Sequence, residues 1–471
     1  MPDLKAGIKL NFAVPCVLGI LSAIILFSGL DGSLRDWDES VYAQVARENY
    51  RSGDWYNLYW NKGVWIDKPP LMIWFTRLVY GFFGIGEWQA RIGSALAGCI
   101  IIMIIYFWVR KVSGIYAGFL AGIILLGVPH FVRVAKMGQL DVPVAMFVTA
   151  SMYFFYTAFN DNKNFMYLLS GISTGLALMT KWVVGLFPVF VQLCLSVIPE
   201  YRTVLRNKYW WIGNVVAVIV ILPWFLQQYL CYGDVFLGHF IGIKLFGSIS
   251  SEIAGHGGGI LYYLDIMISK SRPWVFVFIP IFFLLIFRAV KRDKISVFLL
   301  FWFGVIFILF SISRTKLHWY IMPVYPPMAF ICAYLLSDIV SGSKTRKILI
   351  ASALIIIPAH IFFSRDYIKL DLNPEMKNFI SATAGSFGKI DKLYVYKGTF
   401  SPSLMFYTDK KVLQINSDEE LNLYLNRDRE LVVIADKKAC GYLDNIISTG
   451  SLKTARPAVI TEKYNAYFIK K

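Results

Sequence analysis

The sequence predicts a polytopic α-helical membrane protein that ends in a small α/β domain, and three observations carry that prediction. The 471 residues are 57% hydrophobic and 17% aromatic, with a mean hydropathy of +0.56. Only 16% are Asp, Glu, Lys or Arg, against about 25% in soluble domains, which leaves too little polar surface to be wetted all round. Apolar runs of about 17–22 residues recur, the length that crosses a hydrocarbon core of about 30 Å.

About eleven spans follow, near 12–30, 89–109, 114–131, 141–159, 164–180, 182–198, 210–228, 272–288, 295–312, 319–337 and 347–363. With a cytoplasmic N-terminus, the inner loops gather fifteen basic residues, among them Lys5, Lys9, Arg110, Lys111, Arg202, Arg206, Lys208, Lys294 and Lys347. Against them stand Asp3, Asp161, Glu200, Asp293 and Asp338. That asymmetry is the positive-inside pattern, and it puts the 31–88 loop, the 229–271 loop and the tail outside. It also accounts for the net charge of +17 without a nucleic-acid partner. The first apolar run exceeds a usual signal-peptide core and lacks a small-residue cleavage site, so it is expected to remain as an anchor. None of the six cysteines forms a C-x-x-C pair, so they are expected to be small buried hydrophobes.

Composition divides the chain into a transmembrane module, 1–363, and a water-soluble extracytoplasmic domain, 364–471. In the tail, "KLYVYKG", "KVLQIN", "ELVVIAD" and "NAYFIKK" read as strands between helix-like segments, a pattern of α/β domains. Ser417 and Glu420 stand at capping-box spacing. The 31–88 loop is too long for a plain connection. "ESVYAQVARENY" puts Val41, Tyr42, Val45, Ala46 and Tyr50 on one helical face, and Pro69-Pro70 starts a second, mostly apolar helix. Both are expected to lie along the membrane surface.

Five polar groups fall at external span ends: "DWDE" (36–39), "WIDKPP" (65–70), "RVAKMGQLDVP" (133–143), "GHGGG" (255–259) and "SRTKLHWY" (313–320). Ionisable groups at such depths are costly unless they line a cavity, so one site on the outer face explains all five together. Asp38 and Glu39 supply the paired carboxylates that base catalysis or metal binding requires. The same two residues also suit a helix N-terminus, where acids are favoured, and one can cap while the other faces a site. Asp141, beside Pro143, has the same two readings. Asp67-Lys68 precedes a Pro pair that aims both side chains, and Lys there suits a phosphate. His256, in a glycine-rich loop, can complete a metal site with Asp67. "GISTG" (171–175) matches a nucleophile elbow but lies in an apolar span, where small residues pack helices.

"WDESVYAQVARENYRSGDW", "IDKPPLMIWF", "EWQARIGSALAG", "GQLDVPVAMFVTA", "ALMTKWVVGLFP" and "RTKLHWYIMPVYPPMA" occur in that order. Together they resemble bacterial GT-C glycosyltransferases of the aminoarabinose transferase and dolichyl-phosphate-mannose–protein mannosyltransferase-like family. The resemblance implies a GT-C fold and an inverting transfer of sugar from a polyprenyl-phosphate donor. The acceptor would be a lipid such as lipid A, a glycan or a protein, at the outer face of the cytoplasmic membrane, with no nucleotide cofactor. It implies that Asp38 is the catalytic base or its orienter, with Glu39 beside it, and that Asp141 is the second active-site carboxylate. Lys68, Tyr320 and Lys316 would hold the donor phosphate, and Tyr42 and His318 would contact substrate. Asp67 and His256 would bind a divalent metal (Zn, Mg or Mn), although this chain has Asp where the family has a longer acid. Val41 departs from an arginine frequent in the family. A transporter of the same lipid would need ionisable groups midway along several spans, and the spans here are nearly uncharged at their centres.

Overall fold

A computed structural model of the chain describes residues 2–240, 242, 257–340, 370–383, 387, 390–397, 401–427, 430–436, 439–441, 443–444, 457–460 and 463–470. The expected span 347–363 and His256 lie outside the described residues. Two compact units form: Met1–Leu30, Ile66–Phe75 and Arg91–Leu370 in the first, and Asp31–Trp65, Thr76–Ala90 and Asp371–Lys471 in the second.

The first unit is helical. Among the described residues five helices are long and apolar enough to cross a membrane: Glu87–Ser113, Asp141–Asn160, Lys208–Phe240, Lys294–Ile312 and His318–Ile339. This is a multi-pass membrane protein. Ile115–Leu126 and Pro129–Ala135 make a sixth if taken together, bent by 71° where Gly127 and Pro129 interrupt the helix. Shorter apolar helices include Asn11–Phe27, Leu71–Phe83, Phe165–Thr180 and Trp274–Val290. The expected span 182–198 is a further shorter apolar helix, Trp182–Ser196, with Leu186 in helical backbone, φ −79° and ψ −13°, where its ladder is interrupted.

Aromatic rings fill the gaps between these helices. Trp108 stacks on Trp302 at 5.2 Å and takes Phe330 and Phe298 edge-on, joining three long helices through rings that prefer offset or edge geometry. Elsewhere the helices touch through glycine. A Cβ on Gly171 would stand 1.9 Å from the Gly213 carbonyl oxygen, and one on Gly213 would stand 2.3 Å from that of Tyr167. No side chain fits there. Ser173 of the same segment gives its hydroxyl to the Leu169 carbonyl at 2.9 Å, so "GISTG" is a helix-packing patch. Ser151, Ser170 and Thr174 share hydrogen bonds across two helices, and Trp210 Nε1 donates to Gln192 Oε1 at 2.8 Å.

The second unit is built on a five-stranded sheet. Its strands are β3 (Lys392–Tyr396), β4 (Lys411–Ile415), β5 (Glu430–Asp436), β6 (Pro457–Ile460) and β7 (Tyr464–Lys470), in the order β4-β3-β5-β7-β6. A separate hairpin pairs β1 (Tyr59–Trp60) with β2 (Gly63–Val64). In the sheet, β4, β3 and β5 run parallel, and β7 is antiparallel to β5 and β6. Alternation at period two sends Tyr394, Tyr396 and Val433 to one face and Leu393, Val395, Val432 and Ile434 to the other. Leu421 and Leu425 cover the first face, while Phe379, Leu404 and Met405 cover the second. Both faces are therefore buried, as parallel pairing requires.

Residues 31–65 join this unit through specific bonds. Asn61 gives its Nδ2 to the Val412 carbonyl at 2.8 Å and takes the Val412 N–H on Oδ1 at 3.0 Å. Arg47 pairs with Asp409 at 3.2 Å. Asp36, which stands beside the carboxylate pair, accepts from Ser401 Oγ, the Ser403 N–H and Asn373 Nδ2 at 2.7–2.9 Å. These three bonds tie residue 36 to the tail segment of the same unit.

The aromatic loop after helix Asp38–Ser52 is organised by Asp54. Its carboxylate accepts from the N–H groups of Tyr56 and Asn57, from Asn57 Nδ2 and from the Tyr59 hydroxyl. Arg77 donates to the Gly53 and Asp54 carbonyls and to Asn49 Oδ1, and lies 3.8 Å over the Trp55 ring. Burial pushes the Asp54 carboxyl up, but these four donated bonds outweigh it and hold the group below the usual carboxylate range. A depressed folded value contributes stability that is present above the unfolded value of about 4 and drains away as pH falls through the folded one. The protection factors of the Tyr56 and Asn57 amides, measured against the intrinsic exchange rate at each pH, are therefore expected to fall from pH 6 to pH 3. In Asp54→Asn they are expected to be low already at pH 6.

Candidate active site

Helix Asp141–Asn160 begins on an acid that is 4% exposed. Its Oδ1 lies 2.7 Å from Lys181 Nζ. Lys181 stands in extended backbone, φ −152° and ψ 94°, between helices Phe165–Thr180 and Trp182–Gly185. That break stops the helix and turns the lysine inward. Its ammonium also lies 4.0 Å from the centre of the Tyr320 ring, a cation–π distance. Two residues earlier, Gln139 is 2% exposed and neither atom of its amide has a hydrogen-bond partner among the described residues. A buried amide left this way is what a bound polar group satisfies. Asp141 and Tyr320, named from the sequence, are thus brought together. No motif singles out Lys181, although a lone lysine inside the apolar stretch 165–198 is a signal for it.

Asp67 and Lys68 form a second cluster. Lys68 Nζ lies 2.8 Å from Asp67 Oδ2, and His239 Nε2 lies 3.1 Å from Asp67 Oδ1. The Pro pair fixes the turn, and the following helix starts at Leu71. His239 enters from a distant part of the chain and was not anticipated.

His318 and Lys316 are drawn into the fold. His318 Nδ1 lies 2.8 Å from His130 Nε2, whose Nδ1 lies 2.8 Å from the Tyr325 hydroxyl, which in turn accepts from Ser271. Lys316 is 4% exposed, its ammonium donates to the Ser311 carbonyl at 2.5 Å, and burial lowers its pKa.

In the second unit, helix Asp38–Ser52 opens on the carboxylate pair, behind Trp37 at φ +66°. The two acids part company there. Glu39 is fully buried and its Oε2 accepts the Arg35 N–H at 2.8 Å, fastening the turn that leads into the helix. Asp38 is half-buried and makes no hydrogen bond or ion pair among the described residues. Tyr42 is buried and meets the Trp65 ring edge-on at 6.2 Å.

The described residues contain no group of three or more His, Cys, Asp or Glu side chains able to hold a metal. Asp67 and His239 supply two donors, and the carboxylate is shared with Lys68. That set falls short of the three protein ligands a catalytic zinc takes.

Residues 67–226 match the family model described as dolichyl-phosphate-mannose-protein mannosyltransferase. An uncharacterized protein of Aquifex aeolicus is 30% identical over 338 residues, 70% of this chain and 65% of that one. The undecaprenyl phosphate-alpha-4-amino-4-deoxy-L-arabinose arabinosyl transferase of Yersinia enterocolitica is 28% identical over 330 residues, 68% of this chain and 58% of that one. The chain thus spans less than two thirds of the length of these relatives. In three dimensions it is similar to ArnT from Cupriavidus metallidurans bound to undecaprenyl phosphate, with a TM-score of 0.75 and 18% identity over 98% of both chains.

Proposed function

We propose that this chain, which resembles GT-C glycosyltransferases of the aminoarabinose transferase-like family in sequence and shares their fold, is an inverting membrane glycosyltransferase. The donor is a polyprenyl-phosphate-linked sugar. The acceptor is lipid A, another glycan or a protein, at the outer face of the cytoplasmic membrane. About eleven spans, a cytoplasmic N-terminus and an extracytoplasmic sheet unit complete the reading. The observation that carries it is the buried Asp141–Lys181 pair beneath the Tyr320 ring. Taking both charges out of water costs several kcal/mol per ion, more than helix capping alone warrants.

The chemistry follows from the leaving group. A lipid phosphate departs with its charge developing, so it needs cations in place and no acid to protonate it. Lys68 supplies one such charge, helped by Tyr320. Lys316, tied to a backbone carbonyl, acts on the phosphate more weakly. Asp141 orients Lys181, and the Gln139 amide supports substrate binding beside them. Asp38 takes the proton of the attacking hydroxyl or amine, and a single displacement inverts the anomeric carbon. Glu39, Tyr42 and His318 position the surrounding turns. Asp67 keeps Lys68 in place. A divalent cation there needs a donor beyond Asp67 and His239, with His256 the candidate from the sequence. Chelation with EDTA is expected to leave transfer within about twofold of the untreated rate, and loss of activity that zinc or magnesium restores would instead assign Asp67 to a metal.

The deciding experiment reconstitutes the full chain in liposomes with an undecaprenyl-phosphate aminosugar and lipid A. Mass spectrometry reads the acceptor for one added sugar. Envelope glycolipids from cells with and without the gene identify the native sugar as one lost mass. Absence of any transferred sugar from polyprenyl-phosphate donors in both assays would overturn the reading.

A further inference from the structure

Helix Asp141–Asn160 carries the candidate site at its first residue. Its last residue opens a second, unrelated cavity. Twenty residues at 1.5 Å each separate the two by about 30 Å, so neither can serve the other. The cavity encloses about 430 Å³ and is lined by Asn160, Asn162, Asn164, Asn207, Tyr201 and Lys294, among others. Its floor is rigid: Tyr201 is buried, stacks on Phe159 at 4.6 Å and gives its hydroxyl to the Lys294 carbonyl at 3.1 Å. The amides at its mouth are only partly engaged. Asn207 Oδ1 accepts the Tyr209 N–H at 2.9 Å and Asn160 Nδ2 donates to Asp161 Oδ1 at 3.1 Å. Asn207 and Asn164 share only one long contact of 3.4 Å, and Asn162 sits exposed in left-handed backbone at φ +54°.

Charge around this cavity is unbalanced. Every nearby acid is already used. Lys111 holds Asp161 at 2.5 Å, Arg292 holds Glu200 at 3.1 Å, and Asp293 takes the Ser296 N–H. Lys294, Arg202, Arg206 and Lys208 are exposed and enter no salt bridge among the described residues. Beside these cations lies apolar surface that water disfavours: Phe165, Leu205, Val197 and Trp211 are 62%, 37%, 71% and 53% exposed. Trp211 anchors there by donating to the Leu205 carbonyl at 2.9 Å, as a tryptophan at a membrane interface does.

We propose that this cavity binds the phosphoglycerol headgroup of an anionic phospholipid. The phosphodiester is held by the unpaired cations, the glycerol hydroxyls exchange hydrogen bonds with the asparagine amides, and the acyl chains lie on the exposed apolar residues. Headgroup chemistry discriminates. Choline offers amides no hydroxyl or N–H. The ammonium of ethanolamine would face the like charge of Lys294, the cation among the lining residues, with Arg202, Arg206 and Lys208 next in sequence to other lining residues. Glycerol suits the amides and adds no positive charge. Basic pockets between membrane helices are suited to anionic headgroups for the same reasons.

The test uses the full-length chain, purified and offered phosphatidylglycerol, phosphatidylethanolamine and phosphatidylcholine of identical acyl composition, with bound lipid read by native mass spectrometry. At least tenfold preferential retention of phosphatidylglycerol is expected. The K294Q/R206Q variant is expected to lose that preference and K294R/R206K to keep it, with thermal melting unchanged in both. Equal retention of the three lipids by the wild type, or full selectivity in K294Q/R206Q, overturns the proposal. A saturable site for sn-glycerol 3-phosphate without preference for phosphatidylglycerol overturns it too, and assigns the cavity to a soluble ester. None of these readouts depends on sugar transfer.

Discussion

Asp38→Asn is expected to lower sugar transfer by about 10²–10⁴-fold, the range that a positioned general base contributes, while insertion and folding stay intact. Asparagine keeps the shape of the side chain and removes only its ability to take a proton. Because the Asp38 carboxylate makes no hydrogen bond or ion pair among the described residues, the fold loses at most the roughly 0.3–1 kcal/mol that a negative charge contributes in the first turn of a helix. The expected kinetic signature is a fall in kcat at nearly constant KM, since the lost interaction belongs to the transition state. Glu39→Ala provides the contrast. It strips the Arg35 N–H of its partner and is expected to lower thermal stability by about 1–3 kcal/mol before it touches chemistry. Full activity in Asp38→Asn would move the base elsewhere, with Asp141 the next carboxylate to change.

The second large effect is expected at Lys181. Lys181→Met leaves the Asp141 carboxylate, 5% exposed at its side chain, without its ammonium partner. Breaking a buried pair from one side costs about 3–5 kcal/mol. Thermal melting in detergent is expected to fall accordingly, and transfer with it. The double variant Lys181→Met/Asp141→Leu removes both charges, and apolar replacement of a buried pair is often neutral or stabilising. It is therefore expected to recover most of the melting temperature and none of the activity. That separation is what a double-mutant comparison measures. Recovery of activity along with stability would make the pair a structural element.

The two parts of the carboxylate cluster show how far local pattern reaches. Spacing and composition mark 36–39 as the start of a helix, because acids before an apolar-periodic run favour a helix N-terminus. They do not separate Asp36, Asp38 and Glu39, which differ only in what folds against them. Asp36 goes to Ser401 and Ser403, more than 360 residues away. Glu39 turns back on Arg35, and the Asp38 carboxylate stays unengaged among the described residues. His239 and Lys181 are not legible in local pattern for a related reason. Each sits in an apolar stretch where a single polar residue has no local partner, and its meaning appears only when Asp67 or Asp141 is placed beside it.

Membrane character, most helix positions and the strands of the tail follow from the sequence by itself, because hydropathy over twenty residues and alternation over six are local sums that no distant contact can reverse. The candidate site was also legible there, since charged groups at the ends of apolar runs are costly unless they line a cavity. Tertiary structure alone decided which of those charges meet. It also turned 114–131 through 71°, and drew 31–65 into the unit of the tail through Asn61 and Arg47. Such outcomes depend on contacts between residues hundreds of positions apart. Their energies are set by burial and geometry, which no local pattern encodes.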